Sequence, residues 1–226
     1  MARERIVLLW SGGKDSTLSL MYLRERYEIY GLLTTFTEGY DRVTMHGVRR
    51  QLLEAQTHTL GERLLSMTIR PCCSNAEYDA QMRAILLELK SRGITKIASG
   101  DIFLEDVRRY RQERLSELGL ELLTPLWGRD SRALIEEFLE LGFRAITVCV
   151  SARWLDERFV GQELTQEFLH KLPSSVDPCG ENGEFHSFVY DGPLFRHPVR
   201  FRLGEKILRD EHYYCDLIPF QGDDAL

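Results

Sequence analysis

The chain has 226 residues, of which 43% are hydrophobic and 28% charged. That is ordinary for a globular protein, with room for one α/β domain of about 150 residues and a smaller appendage. A formal charge of -6 argues against non-specific nucleic-acid binding, and no run approaches the roughly 18 apolar residues of a membrane span.

The five cysteines, Cys72, Cys73, Cys149, Cys179 and Cys215, show no CxxC spacing. Reduced thiols are therefore expected, as is a cytoplasmic location, since the chain runs into a strand pattern with no signal-peptide pattern before it. Only five of the 29 basic residues are lysine. In a chain so rich in arginine, a lysine at position 14 hints that a compact ammonium is wanted there.

Strand and helix patterns alternate from the start. Residues 6–10 are continuously apolar, as expected of a central parallel strand covered on both faces. A first helix is predicted from 14 to about 26, with Leu18, Leu20, Met21 and Leu23 inward. A second strand over 28–36 leads to a polar connection, 37–47, that carries Asp41 and His46. A helix over 48–60, stopped by Gly61, and a third strand over 63–69 follow. Ser74-Asn75-Ala76-Glu77 has the form of a capping box, and the helix it opens ends near Gly93. The fourth strand, 94–99, ends in Gly100-Asp101. Then come a helix over 104–118, a short strand over 120–123, a helix capped by Asp130 or Ser131, and a last clear buried strand over 144–150.

Such repeated units imply a parallel sheet with right-handed crossovers. Ligands in these sheets bind beyond the carboxyl ends of the strands. Ser11-Gly12-Gly13, Thr34-Thr35, Gly100-Asp101 and Ser151 all fall at such ends, which argues for one shared site. After residue 150 the pattern changes to a helix over 162–172 and short strands over 185–190, 199–203 and 212–218. We therefore expect domains at 1–150 and 151–226, the second small and mixed α+β.

Residues 11–16, Ser11-Gly12-Gly13-Lys14-Asp15-Ser16, join the first strand to the first helix. A glycine turn opening a helix presents backbone N–H groups to an anion, and Lys14 adds a point charge. The loop is neither a Walker P-loop nor a G-x-G-x-x-G turn. Ser-Gly-Gly-x-Asp-Ser after a first strand resembles the PP-loop, or N-type, ATP pyrophosphatases. That resemblance implies a Rossmann-like fold (adenine nucleotide alpha hydrolase-like) with a parallel five-stranded sheet. It assigns Ser11, Gly12, Gly13, Asp15 and Ser16 to the phosphates and Lys14 to charge developing on the leaving pyrophosphate. ATP and Mg²⁺ are the implied cofactors.

Within that superfamily the chain resembles the diphthine–ammonia ligase group along nearly its whole length. The matching pieces are Met45-His46-Gly47, Ser99-Gly100-Asp101, Glu117-Leu118-Gly119-Leu120, Thr124-Pro125-Leu126-Trp127 and the segment from Cys179 to Phe188. The resemblance implies adenylation of a carboxylate by ATP, release of AMP and pyrophosphate, and amide formation with free ammonia. The group's usual Glu-Gly-Gly-Glu-(Tyr/Phe)-Glu-(Thr/Ser) reads Glu181-Asn182-Gly183-Glu184-Phe185-His186-Ser187 here, closer to a bacterial branch associated with cobalamin salvage. The acceptor is accordingly left open between protein-borne diphthine and a corrinoid or other small-molecule carboxylate.

Glu181, Glu184 and His186 suit the handling of an ammonia nucleophile, by orienting ammonium or accepting its proton. Asp101 could bind Mg²⁺ or a ribose hydroxyl, or simply cap a helix. His46 could reach the nucleotide, and Thr34-Thr35 could offer backbone contacts to adenine. The run Arg108-Arg109-Tyr110-Arg111, continuing to Arg114, is read as a solvated face or an anion contact. Cys179 has no evident base partner and is read as structural. No nucleic-acid or membrane partner is expected, and a homodimer is left open. A non-catalytic ATP-binding sensor would share the same sheet architecture.

Overall fold

A computed structural model describes residues 3–220; the outer ends of the two expected domains, 1–2 and 221–226, lie outside it. Its first half is an α/β layer. Strands β1 (Arg5–Leu9), β2 (Glu28–Thr37), β4 (Leu64–Ile69), β5 (Lys96–Ala98) and β6 (Glu121–Leu123) pair in parallel in the spatial order β4-β2-β1-β5-β6. This is the five-stranded parallel sheet expected from the sequence. A sixth, two-residue strand, β3 (Arg42–Val43), pairs antiparallel with Phe36 and Thr37 of β2. It was hidden in the polar connection because two residues carry no periodic signal.

The placement of β3 matters for the site. On one edge β2 pairs with β1 only as far as Leu33, and β3 takes up pairing beyond that point. The turn after β3 therefore lies past the carboxyl end of β1, beside the loop at residues 11–16. Two cores flank the sheet, as the alternation of β1 requires. Ile6 and Leu8 face α1 (Lys14–Arg26), α2 (Arg50–Leu60) and the second sheet. Val7 faces α3 (Asn75–Ser91) and α4 (Glu105–Ser116).

The helix ends follow the chemistry in the sequence. Ser74 and Glu77 form the reciprocal capping box, and Asp130 caps α5 (Ser131–Glu140) through the Ala133 N–H. A left-handed Gly61 closes α2.

Strand β7 (Arg144–Ser151) corrects the sequence reading. It does not continue the parallel sheet but lies inside a second, antiparallel sheet of order β8-β7-β10-β9. The other members are β8 (Phe185–Asp191), β9 (Phe201–Arg209) and β10 (His212–Pro219). From Ala145 onward every β7 residue is buried. An unbroken apolar run reads the same in either kind of buried sheet, which is why the assignment missed. The helix expected over 162–172 is shorter, α6 (Gln166–Lys171), capped by Thr165 and preceded by a single 3₁₀ turn at Glu157–Phe159.

Candidate active site

The loop at residues 11–16 is held from behind by one buried glutamine. Trp10 Nε1 donates to Gln56 Oε1 at 2.9 Å, and Gln56 Nε2 donates to Gly12 O at 2.9 Å and Val189 O at 2.6 Å. Strand end, loop and β8 are thereby tied to α2. Gly12 adopts φ +78°, and a Cβ there would come within 2.8 Å of Leu53 and 2.9 Å of Gln56, so only glycine fits. Within the loop, Ser16 Oγ donates to Gly13 O at 2.9 Å and the Gly13 N–H donates to Ser11 Oγ at 3.2 Å. The second sheet closes over it: Val189 N donates to Gly12 O at 2.9 Å.

A polar cavity of about 360 Å³ opens at the carboxyl ends of β1, β2 and β5. It is lined by Ser11, Gly13, Lys14, Asp15 and Ser16 from the loop, Thr35 from β2, and His46 from the turn after β3. Gly100, Asp101 and Arg111 form another wall, and Glu181, His186 and Ser187 reach in from the second sheet and the loop before it. The strand order reverses between β1 and β5, so this is the switch point at which open α/β sheets bind ligands. A more apolar cavity of about 380 Å³ lies beside it between α3 and α4, sharing Leu9, Met82 and Arg111.

The cavity mixes fixed charges with neutral imidazoles. Lys14 is buried, and its Nζ lies 2.7 Å from Asp15 Oδ2 and 5.5 Å from the Phe185 ring centre. Burial works against the ammonium, but Asp15 holds its pKa above the ordinary lysine value, so the charge persists at neutral pH. Burial pushes the Glu181 carboxyl up to about 7, although its Oε1 accepts the Ile102 N–H at 2.8 Å. The His46 and His186 rings lie 4.4 Å apart. Burial lowers His46 to about 4 and His186 well below the ordinary range, and the Lys14 charge adds to both shifts. Both imidazoles are neutral near pH 7. Such a site offers N–H groups and a cation to an anion, and a carboxylate that changes protonation near neutrality.

The expected residues do not all reach the cavity. Gly12 sits behind the loop with its carbonyl taken by Gln56 and Val189. The Thr34 side chain turns away and donates to Trp10 O at 2.8 Å, while its neighbour Thr35 lines the cavity. Alternation along a strand puts only one of two adjacent threonines on a given face. Glu184 is buried and outside the lining. Its Oε1 accepts the Asp177 N–H at 3.0 Å and Asn182 Nδ2 at 3.0 Å, and its Oε2 accepts the Asn182 N–H at 2.9 Å. Ser151 also lies outside the cavity, with its N–H donated to Glu184 O at 2.9 Å. Cys179 touches the cavity, but its Sγ donates to Ser131 O at 3.2 Å and burial pushes its thiol far up. That is an inert thiol.

Asp101 is at the cavity wall, with Oδ2 accepting Ser99 Oγ at 2.7 Å and Oδ1 accepting Arg111. Both of its oxygens are thus engaged. Among the described residues no group of three or more His, Cys, Asp or Glu is arranged to hold a metal ion. The arginine run divides: Arg111 reaches the cavity, whereas Arg109 pairs with Asp106, and Arg114 with Asp79 and Glu117, in exposed or partly exposed positions. Gln56, expected with Leu52 and Ala55 near one face of its helix, and Ser187 were given no role at the site from the sequence. A polar side chain on the apolar face of α2 is the signal that could have marked Gln56.

Residues 4–122 match the family model described as the diphthamide synthase N-terminal domain, and residues 130–218 match the diphthamide synthase C-terminal domain. The diphthine–ammonia ligase of Danio rerio is 26% identical over 233 residues, which take in 93% of this chain and 91% of that protein. That of Homo sapiens is 26% identical over 228 residues, 90% of this chain and 85% of that protein. That of Saccharomyces cerevisiae is 28% identical over 231 residues, 85% of this chain but 34% of that protein. With one family model matched over residues 4–122 and the other over 130–218, the chain belongs to the diphthamide synthase family.

Proposed function

We propose that the protein is an ATP-dependent, AMP-forming ligase that adenylates a carboxylate and passes it to ammonia, a reading supported by relatives named diphthine–ammonia ligase. The observation that carries this reading is the meeting of two elements in one 360 Å³ cavity. One is the Ser-Gly-Gly-Lys-Asp-Ser loop, and the other is the group Glu181, His186 and Ser187, contributed by the second sheet and the loop before it.

In this reading the loop N–H groups and Lys14 hold the phosphates, and Lys14 meets the charge that develops on pyrophosphate as it leaves. The adjoining apolar cavity is where we place the purine ring. Magnesium would come with the triphosphate and keep most of its water, since Asp101 is already engaged and no acidic cluster stands ready for it among the described residues. Glu181 accepts the proton that ammonia sheds as the C–N bond forms. Its carboxyl titrates near 7, so it is a better base than His46 or His186, whose neutral rings resist taking a second proton. The parallel sheet serves the nucleotide, and the antiparallel sheet with its preceding loop serves the acceptor.

The test incubates the protein with ATP, ammonium and either diphthine-bearing elongation factor or a corrinoid acid, and follows AMP by chromatography. AMP formed in step with amide, with one acceptor only, supports the ligase and identifies its substrate. ADP formation refutes it in favour of γ-phosphate cleavage, and ATP that stays bound and unreacted with these two acceptors and with a panel of other small carboxylic acids refutes it in favour of a sensor.

A further inference from the structure

The turn that carries His46 is short, strained and held from one side by a single carboxylate of the second sheet. Within it, the His46 N–H donates to Thr44 O at 2.9 Å and the Gly47 N–H to Val43 O at 2.9 Å. Met45 has φ +67° and Gly47 φ +72°. A Cβ on Gly47 would come within 3.0 Å of the Tyr214 ring on β10, so the turn lies directly against that strand.

Two residues along β10, Asp216 grips both flanks of the turn. Arg42 Nη1, before it, lies 2.8 Å from Asp216 Oδ1 and also donates to Gly47 O at 2.7 Å. Arg49, after it, forks onto the same carboxylate, Nε to Oδ1 at 3.0 Å and Nη2 to Oδ2 at 2.6 Å. The register of β10 against β9 shifts between Cys215 and Leu217. An irregularity of this kind re-aims a side chain out of the regular pleat. Burial opposes the Asp216 charge, but the two guanidinium groups hold its carboxyl down at about 2. Meanwhile His46 Nδ1 is buried with no hydrogen-bond partner among the described residues, and the cavity is the space its ring lines.

We propose that Asp216 is a positioning residue: through Arg42 and Arg49 it docks the His46 turn against the second sheet and aims the imidazole at the cavity over the phosphate loop. The apparatus is more elaborate than packing a surface turn demands. A bidentate arginine fork, a second arginine and a strand irregularity converge on one carboxylate, and what they immobilise is a turn whose one buried ring nitrogen lacks a partner. The role rests on the ligase reading only for its kinetic consequence; the placement of the ring does not depend on it.

Two measurements keep those apart. The first follows the His46 imidazole by nitrogen NMR through a pH titration of the full chain. In the native protein the ring stays neutral until about pH 4, facing His186 on β8 and the Lys14 ammonium on α1. In Asp216→Asn the loosened turn is expected to titrate closer to the ordinary value near 6.5. Arg49→Lys, which keeps the charge and loses the fork, should give a smaller shift in the same direction and covers the case in which Asp216→Asn does not fold. The second measurement is a double-mutant cycle in AMP-forming turnover. Asp216→Asn is expected to lower kcat/KM about tenfold in the native background and less than about twofold in His46→Ala, because coupled residues are not additive. Asp216→Glu should recover part of the loss. Unchanged His46 titration in folded variants overturns the proposal whatever the reaction is. Equal losses in both backgrounds overturn the kinetic part even if the ligase reading stands.

Discussion

The backbone N–H of Lys14 donates to the Ser187 hydroxyl at 3.2 Å, linking the first turn of α1 to strand β8 of the other sheet. The Ser11–Ser16 loop is therefore roofed by the part of the chain that brings Glu181 and His186, and the cavity needs both halves. Ser187→Ala removes that acceptor. The expected cost is about 1 kcal/mol of stability, the ordinary worth of one such bond, measured by denaturant unfolding, with a larger proportional effect on the KM for ATP than on the melting transition.

Lys14→Ala is expected to leave the fold intact by circular dichroism while AMP formation falls by about 10²- to 10³-fold, the usual loss when one preorganised charge-stabilising group is removed. Retained AMP formation would falsify the role assigned to the ammonium.

Glu181 sets the expected pH dependence. Its folded carboxyl titrates at about 7, above the ordinary carboxylate value, so the native state binds its proton more tightly than the unfolded chain. Two consequences follow from that sign. Stability contributed at this site falls as pH rises from the ordinary carboxylate range through about 7. Amide formation, with Glu181 as the proposed base, is expected to rise over the upper part of the same window. With free ammonia, rather than total ammonium, held constant across the profile, Glu181→Gln should abolish the rising limb of the pH–rate profile and raise stability at pH 8 relative to the native protein. A limb that survives the substitution assigns it to another group.

Glu184 is expected to behave differently from Glu181 despite lying three residues away. Its two oxygens accept two backbone N–H groups and one side-chain amide of the loop itself. Glu184→Gln replaces one of those acceptors with a donor and should destabilise the fold by about 1–3 kcal/mol. Turnover per folded molecule should fall much less than in Glu181→Gln. Comparing urea midpoints with turnover at low temperature separates the two roles.

Gln56 offers the sharpest stability test of the loop's support. Gln56→Leu keeps approximate volume but strands the Trp10 indole N–H, while Gly12 O keeps the Val189 N–H and Val189 O loses its side-chain partner. With buried partners left unsatisfied, a loss of about 2–4 kcal/mol is expected, read by thermal unfolding, together with weaker ATP binding by calorimetry.

Much of this architecture was legible in advance. The strand-turn-helix at residues 6–26, the capping box at Ser74, the glycine stop at Gly61 and the five parallel strands follow from local rules that operate within a few residues. The Ser11–Ser16 loop is readable for the same reason: its glycines, its lysine and the helix start that follows are contiguous. What was misread depends on partners distant in sequence. β7 has the composition of a buried strand in any sheet, and only β8 and β10 decide which sheet it joins. Glu184 and Glu181 sit in one motif, yet three hydrogen bonds spend the first on the loop and burial beside Lys14 and Asp15 poises the second.

The sequence alone determined that this chain opens a parallel sheet with a glycine turn leading into a helix, because that signal is written in consecutive residues under short-range steric and electrostatic rules. The tertiary structure decided what faces that turn. It brought β3 past the end of β1, set His46 against His186, closed Ser187 onto the Lys14 N–H and placed Asp216 where it grips Arg42 and Arg49. The separation is 140 residues between His46 and His186 and 167 between Arg49 and Asp216. At such separations no local preference acts, and burial and charge pairing in the folded state choose the partners.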